Sequence, residues 1–163
     1  MNRRALVVLA GAAGMLMVGA CGRPPVSPSS TVESTATTGS ISGDTMATLR
    51  LTVAGRVIAA EWGDSSTARD LAAQSPLPLT FRDYGGQEKI AALPRALATD
   101  GVPPGADPEP NDVGYYAPDR VLVLYYTDVG YYPGIVRLGR LHTADMAFLR
   151  DQPDGFEAIL STP

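Results

Sequence analysis

Six of the seven tyrosines stand in three adjacent pairs, Tyr115–Tyr116, Tyr125–Tyr126 and Tyr131–Tyr132, within residues 115–132. A tyrosine ring offers a large contact area with a polar tip, and such rings are favoured where a protein binds something. Neighbouring residues of a strand point to opposite faces, so each pair is expected to place one ring inside and one outside. The outward set, expected to be Tyr84, Tyr115 and Tyr131, would line a groove at one mouth of the fold. Arg82 lies two residues before Tyr84, and Glu88 and Lys89 follow the Gly85–Gly86 break. Arg82, Tyr84, Glu88, Lys89, Tyr115 and Tyr131 are the expected contacts for a peptide or small ligand. The plainer reading of Glu88 and Lys89 is an ion pair that closes the loop, worth about 0–1 kcal/mol if exposed.

Other chemistry has less to work with. One cysteine and one histidine, with no serine motif beside them, make a catalytic triad a poor fit. His142 ends a strand and reads as a half-exposed strand residue. No glycine-rich loop joins a strand to a helix. The acidic, proline-rich stretch holds Asp107, Glu109, Asn111 and Asp112. It departs from a calcium loop in its third-position Glu109, its late Gly114, and Pro118 where the closing glutamate belongs. It reads as a solvated loop kept extended by its prolines. No metal or cofactor is expected.

Cys21 follows an uncharged apolar run from Ala5 to Val18, itself preceded by Arg3 and Arg4. That is the layout of a secretory signal, and the run is short for a bilayer span, which needs about 20 apolar residues. Val18-Gly19-Ala20-Cys21 resembles the lipobox of bacterial lipoproteins. The resemblance implies cleavage after residue 20, lipid on the Cys21 sulfur and an acylated new N-terminus. One acyl chain holds a protein only marginally, whereas two or three on one residue anchor it durably. The expected address is the extracytoplasmic face of the cell membrane, with that membrane as partner. Alternatives are an ordinary signal peptide or an uncleaved anchor.

Residues 22–47 are rich in Ser, Thr, Gly and Pro and bury too little to offset their chain entropy. With Cys21 they read as a flexible tether, 21–47, carrying a folded domain over 48–163. Without residues 1–20, Arg3 and Arg4 are gone. The 13 basic side chains become 11 against 17 acidic ones, a net charge of −6. That acidity argues against nucleic acid and against a polybasic membrane contact.

The elements that must position these residues are mostly strands. In "TLRLTVAG", Leu49, Leu51 and Val53 alternate with Arg50 and Thr52, and "VIAAEW" continues after a turn at Ala54-Gly55-Arg56. "GDSSTARDLAAQSP" signals a helix, with Ser65, Ser66 or Thr67 as cap, Asp70 three residues after Thr67, and Pro76 as stop. "LPLTFRDY", "RVLVLYYTD", "GIVRLGRLH" and "FEAILS" read as strands, and "TADMAFLRD" as a second short helix. Many short strands and two short helices predict a closed or nearly closed β-barrel.

Two longer segments then stand out, "SPLPLTFRDYGGQEKIAALPRAL" and "DVGYYAPDRVLVLYYTDVGYYPGIVRLGRL". In this order they resemble the cyclophilin-like family of small bacterial proteins, and the match spans most of residues 48–163. The resemblance implies a closed barrel of about eight strands with two helices; it implies no reaction, because fold does not fix function. True cyclophilins are peptidyl-prolyl isomerases. That chemistry needs an arginine, here Arg82, and an aromatic pocket for the proline ring. The phenylalanine-rich segment that builds such a pocket has no counterpart in this sequence. A non-catalytic binding module is therefore the favoured reading, an isomerase the alternative, and a purely structural surface protein the third.

Overall fold

The computed structural model describes residues 49–163; the expectations for the signal segment, Cys21 and the tether lie outside the described residues. Strands β1 (Arg50–Val53) and β2 (Arg56–Trp62) form a hairpin over Ala54 and Gly55. Both turn residues have positive φ, 49° and 80°, as a two-residue hairpin of matching twist requires. Helix α1 (Ser66–Ala72) follows, then β3 (Leu77–Tyr84) and β4 (Glu88–Ala92). After a long connection come β5 (Gly105–Ala106), β6 (Asp112–Tyr116), β7 (Val121–Tyr125), β8 (Tyr132–Pro133) and β9 (Ile135–Leu141). Helix α2 (Thr143–Arg150) and β10 (Phe156–Ser161) complete the chain.

Eight strands close into an antiparallel barrel in the order β1-β10-β3-β4-β7-β6-β9-β2, and β5 and β8 form a separate two-stranded ribbon. The predicted closed barrel with two short helices is therefore what the chain forms. Alternation explains the interior. Leu51 and Val53 of β1, Leu79 and Phe81 of β3, Val113 and Tyr115 of β6 and Leu122 and Leu124 of β7 all belong to one buried cluster. The same cluster takes Ala68 and Leu71 of α1 and Met146 and Leu149 of α2. Phe81 and Phe156 stack inside it, ring centroids 5.1 Å apart.

Two local expectations are corrected. Ser65 alone caps α1, its hydroxyl accepting from the Ala68 amide at 3.1 Å. Thr67 is buried and donates to the Ala98 carbonyl, while Asp70 takes a two-pronged bond from Arg95 and the Ala98 amide. The Thr67–Asp70 spacing thus docks α1 on the 95–98 segment rather than closing a capping box. The acidic stretch is also more than a solvated loop. It contains β5 and runs into β6, where Asp112 is 1% exposed. Its carboxylate accepts from the Glu109 amide and pairs with Arg137 at 2.7 Å and Arg140 at 3.4 Å, the pairing that a buried charge requires.

Candidate functional site

The barrel has a second, smaller apolar cluster on its outer wall: Ile90, Val123, Tyr125 and Ile135. These are the outward residues of β4, β7 and β9, one step out of phase with the inward Ala91, Leu122, Leu124 and Val136. An antiparallel strand that meets solvent on one side would carry polar residues there. Here the outer side is apolar, and the chain itself covers it: Ala106, Tyr116, Val121 and Val129 pack on these residues. A groove of about 740 Å³ opens there, lined by Arg82, Tyr84, Glu88, Tyr116, Tyr125 and Tyr132, with Ile90, Val123 and Ile135 at its floor.

Strand register arranges the lining in rows. Tyr84 pairs with Glu88, and Glu88 with Tyr125, which sets a carboxylate between two rings across β3, β4 and β7. The next row runs from Arg82 to Ile90, Val123 and Gly114. A third joins Val121, Tyr116 and Ile135. Tyr132 of the β5–β8 ribbon meets Tyr116 edge-on, centroids 5.9 Å apart. Pro118, Asp119 and Arg120 of the β6–β7 turn and Val129 complete the rim.

Electrostatically the groove is mixed. The Arg82 guanidinium stands 5.8 Å from the centre of the Tyr84 ring, within cation–π reach. Burial pushes the Glu88 carboxyl above the usual carboxylate range. Burial also raises the Tyr125 phenol, with the Glu88 charge adding to it, and raises the Tyr116 phenol with help from Tyr132. Tyr116 and Tyr125 are therefore neutral hydroxyls at physiological pH.

The residues expected at the site divide in two. Arg82, Tyr84 and Glu88 line the groove together. Tyr115, Lys89 and Tyr131 do not. Tyr115 is 1% exposed inside the barrel, where its hydroxyl accepts from the Leu97 amide at 3.1 Å. It shares the inward parity of Val113, so its neighbour Tyr116 is the outward ring. Lys89 also points inward and is buried. It donates to the Gln152 carbonyl at 3.0 Å and pairs with Asp83 at 3.3 Å, not with Glu88, because adjacent strand residues face opposite ways. Tyr131 is exposed but lies off the groove, against the ribbon at Gly105. The site is a wall of the barrel and not its mouth. Tyr116, Tyr125 and Tyr132 are the tyrosines that sequence reasoning passed over. The available signal was the apolar Ile90, Val121, Val123 and Ile135 at outward parity.

A second, smaller cleft of about 340 Å³ lies by Glu61, Asn111, Arg140, His142 and Thr143. His142 occupies the N-cap position of α2 without a side-chain cap bond. Among the described residues, no three His, Cys, Asp or Glu side chains gather as metal ligands, and no helix is long and apolar enough to cross a membrane.

Comparison with known proteins bears on the fold. A family model described as the cyclophilin-like family matches residues 51–161. The solution structure of a hypothetical protein from Archaeoglobus fulgidus superposes with a TM-score of 0.57 at 18% identity, over 72% of this chain and 95% of that one. At that identity the likeness speaks for the barrel alone. No curated protein matches the chain.

Proposed function

This chain belongs to the cyclophilin-like family, and from that premise we propose that it is a lipid-anchored extracytoplasmic binding module. The lipid sits on Cys21, residues 21–47 are the tether, and the barrel takes a peptide or small ligand in its outer-wall groove. The observation that carries this reading is the apolar outer wall of Ile90, Val123, Tyr125 and Ile135 beneath a groove ringed by tyrosines. A concave, largely apolar site with a few placed polar groups is the usual form of a ligand pocket. Tyrosine rings suit it, because they give contact area at little entropic cost.

One observation favours a second reading, a prolyl isomerase: Arg82 is exposed at the groove beside the apolar Ile90. Isomerisation needs a group that polarises the twisting amide and a pocket that grips the ring. Arg82 meets the first need. The floor, however, is covered by Tyr125, itself 1% exposed, and has no phenylalanine. Binding without turnover follows.

The test adds proline-containing peptides to the full chain and follows amide chemical shifts together with cis–trans exchange peaks. Shifts confined to β3, β4, β7 and Tyr132, with exchange at the uncatalysed rate, are expected. Fast exchange that Arg82→Ala abolishes would replace the binding module by the isomerase.

A further inference from the structure

Glu88 is out of place in an otherwise neutral floor. It sits between Tyr84 and Tyr125 in register, two residues from Ile90 on the same outward face of β4. It is half-buried. Among the described residues its carboxylate accepts no hydrogen bond and pairs with no cation. Every other carboxylate drawn into the fold has partners: Asp112 has Arg137 and Arg140, Asp83 has Lys89 and Tyr126, Asp70 has Arg95. Arg82 is close by in the lining, yet it leans on the Tyr84 ring and makes no ion pair with Glu88. A carboxylate taken from water without a partner costs free energy, and the Glu88 carboxyl titrates accordingly above its usual range.

Resting on the groove as the binding site, we propose that the ligand carries an organic cation, an ammonium or guanidinium on an aliphatic stem, and that Glu88 receives it. The ligand then supplies the partner that the fold withholds. The surroundings fit that chemistry. The exposed ring of Tyr84 is negative at its face and attracts a cation. The half-buried Val121 and Val129 of the lining match the methylenes of the stem. Arg82 beside Tyr84 and Arg120 at the rim would repel a cation that strayed from Glu88 and meet carbonyl or carboxylate groups of the same ligand.

The test uses four probes on the full chain in detergent micelles: acetyl-Gly-Lys-Pro-Tyr-amide, its norleucine and its glutamate counterparts, and n-butylammonium alone. Amide shifts of β4 and β7 report binding. The lysine peptide is expected to bind at least about tenfold tighter than the norleucine peptide, the size of one charge-assisted hydrogen bond. Glu88→Gln should remove that preference, and Glu88→Arg should transfer it to the glutamate peptide. Butylammonium shifts that depend on Glu88 would identify a free amine as sufficient; their absence beside lysine-peptide binding would identify a peptide side chain. Equal affinity for lysine and norleucine peptides, or a lysine preference that survives Glu88→Gln, would overturn the proposal while leaving the groove as a binding site. No groove shift with any probe would overturn the groove itself.

Discussion

The Tyr125 ring lies across the backbone of Gly114: a Cβ at Gly114 would stand 2.8 Å from Tyr125 Cε2 and 3.3 Å from the Val136 carbonyl oxygen. The glycine is what lets a large ring fold flat onto the outer wall and seal the groove floor. Gly114→Ala should therefore lift Tyr125 into the groove and destabilise the domain by about 1–3 kcal/mol, as overpacking does. Urea unfolding measures the loss, and the Tyr125 ring resonances report the displacement. An unchanged ring environment would show that the wall has slack.

The inward and outward tyrosines should separate cleanly. Tyr115→Ala empties a core position and should cost roughly 3–5 kcal/mol. Tyr115→Phe keeps the ring but orphans the Leu97 amide, for about 1–3 kcal/mol. Tyr84→Ala and Tyr131→Ala, both at exposed positions, should stay within about 0.5 kcal/mol. Denaturant midpoints at constant slope decide it.

Asp83 predicts the acid limb of stability. The Tyr126 hydroxyl at 2.5 Å, the Gly86 amide and Lys89 together hold its carboxyl below the usual carboxylate range. A depressed carboxyl contributes stability above its unfolded pKa and loses it as pH falls through the folded one. The wild type should thus lose stability through and below the ordinary aspartate range. Asp83→Asn should be weaker at pH 7 and flatter in acid, as thermal melts at both pH values will show. The same steepness in Asp83→Asn would place the acid sensitivity elsewhere.

The anchor makes its own prediction. On the proposed lipidation, Cys21→Ser should block processing after residue 20 and release the chain from membranes, since the sequence has one cysteine to carry the lipid. Membrane fractionation and the mass of the N-terminal fragment measure both. Quantitative membrane retention of the serine variant would exclude lipidation as the anchor.

The barrel was legible where one face is apolar and the other polar. Leu51 and Val53 against Arg50 and Thr52, or Leu79 and Phe81 against Thr80 and Arg82, fix both strand and parity. Parity fails in "RVLVLYY", which is apolar on both faces because one covers the core and the other the groove. A run of that kind reveals a strand without saying which way its rings turn. That is why Tyr125 was not singled out from its pair, and "DVGYY" in β6, with little polar alternation of its own, likewise let Tyr115 stand in for Tyr116. Asp112 and Lys89 were hidden for another reason: their partners Arg137, Arg140, Asp83 and Gln152 become neighbours only when the barrel closes. Arg82, Tyr84 and Glu88 were legible because β3, the Gly85–Gly86 turn and β4 form a local hairpin whose register the sequence already contains.

Arg50 and Ser161 are paired partners on neighbouring strands, so the chain enters and leaves the barrel at one place. Counted around the barrel in either direction, β7 lies four strands from β1. The β7 part of the groove, Val123 and Tyr125, thus lies across the barrel from Arg50, where the first strand begins. A reporter fused at the C-terminus would start beside β10 and β1, three or more strands from β7.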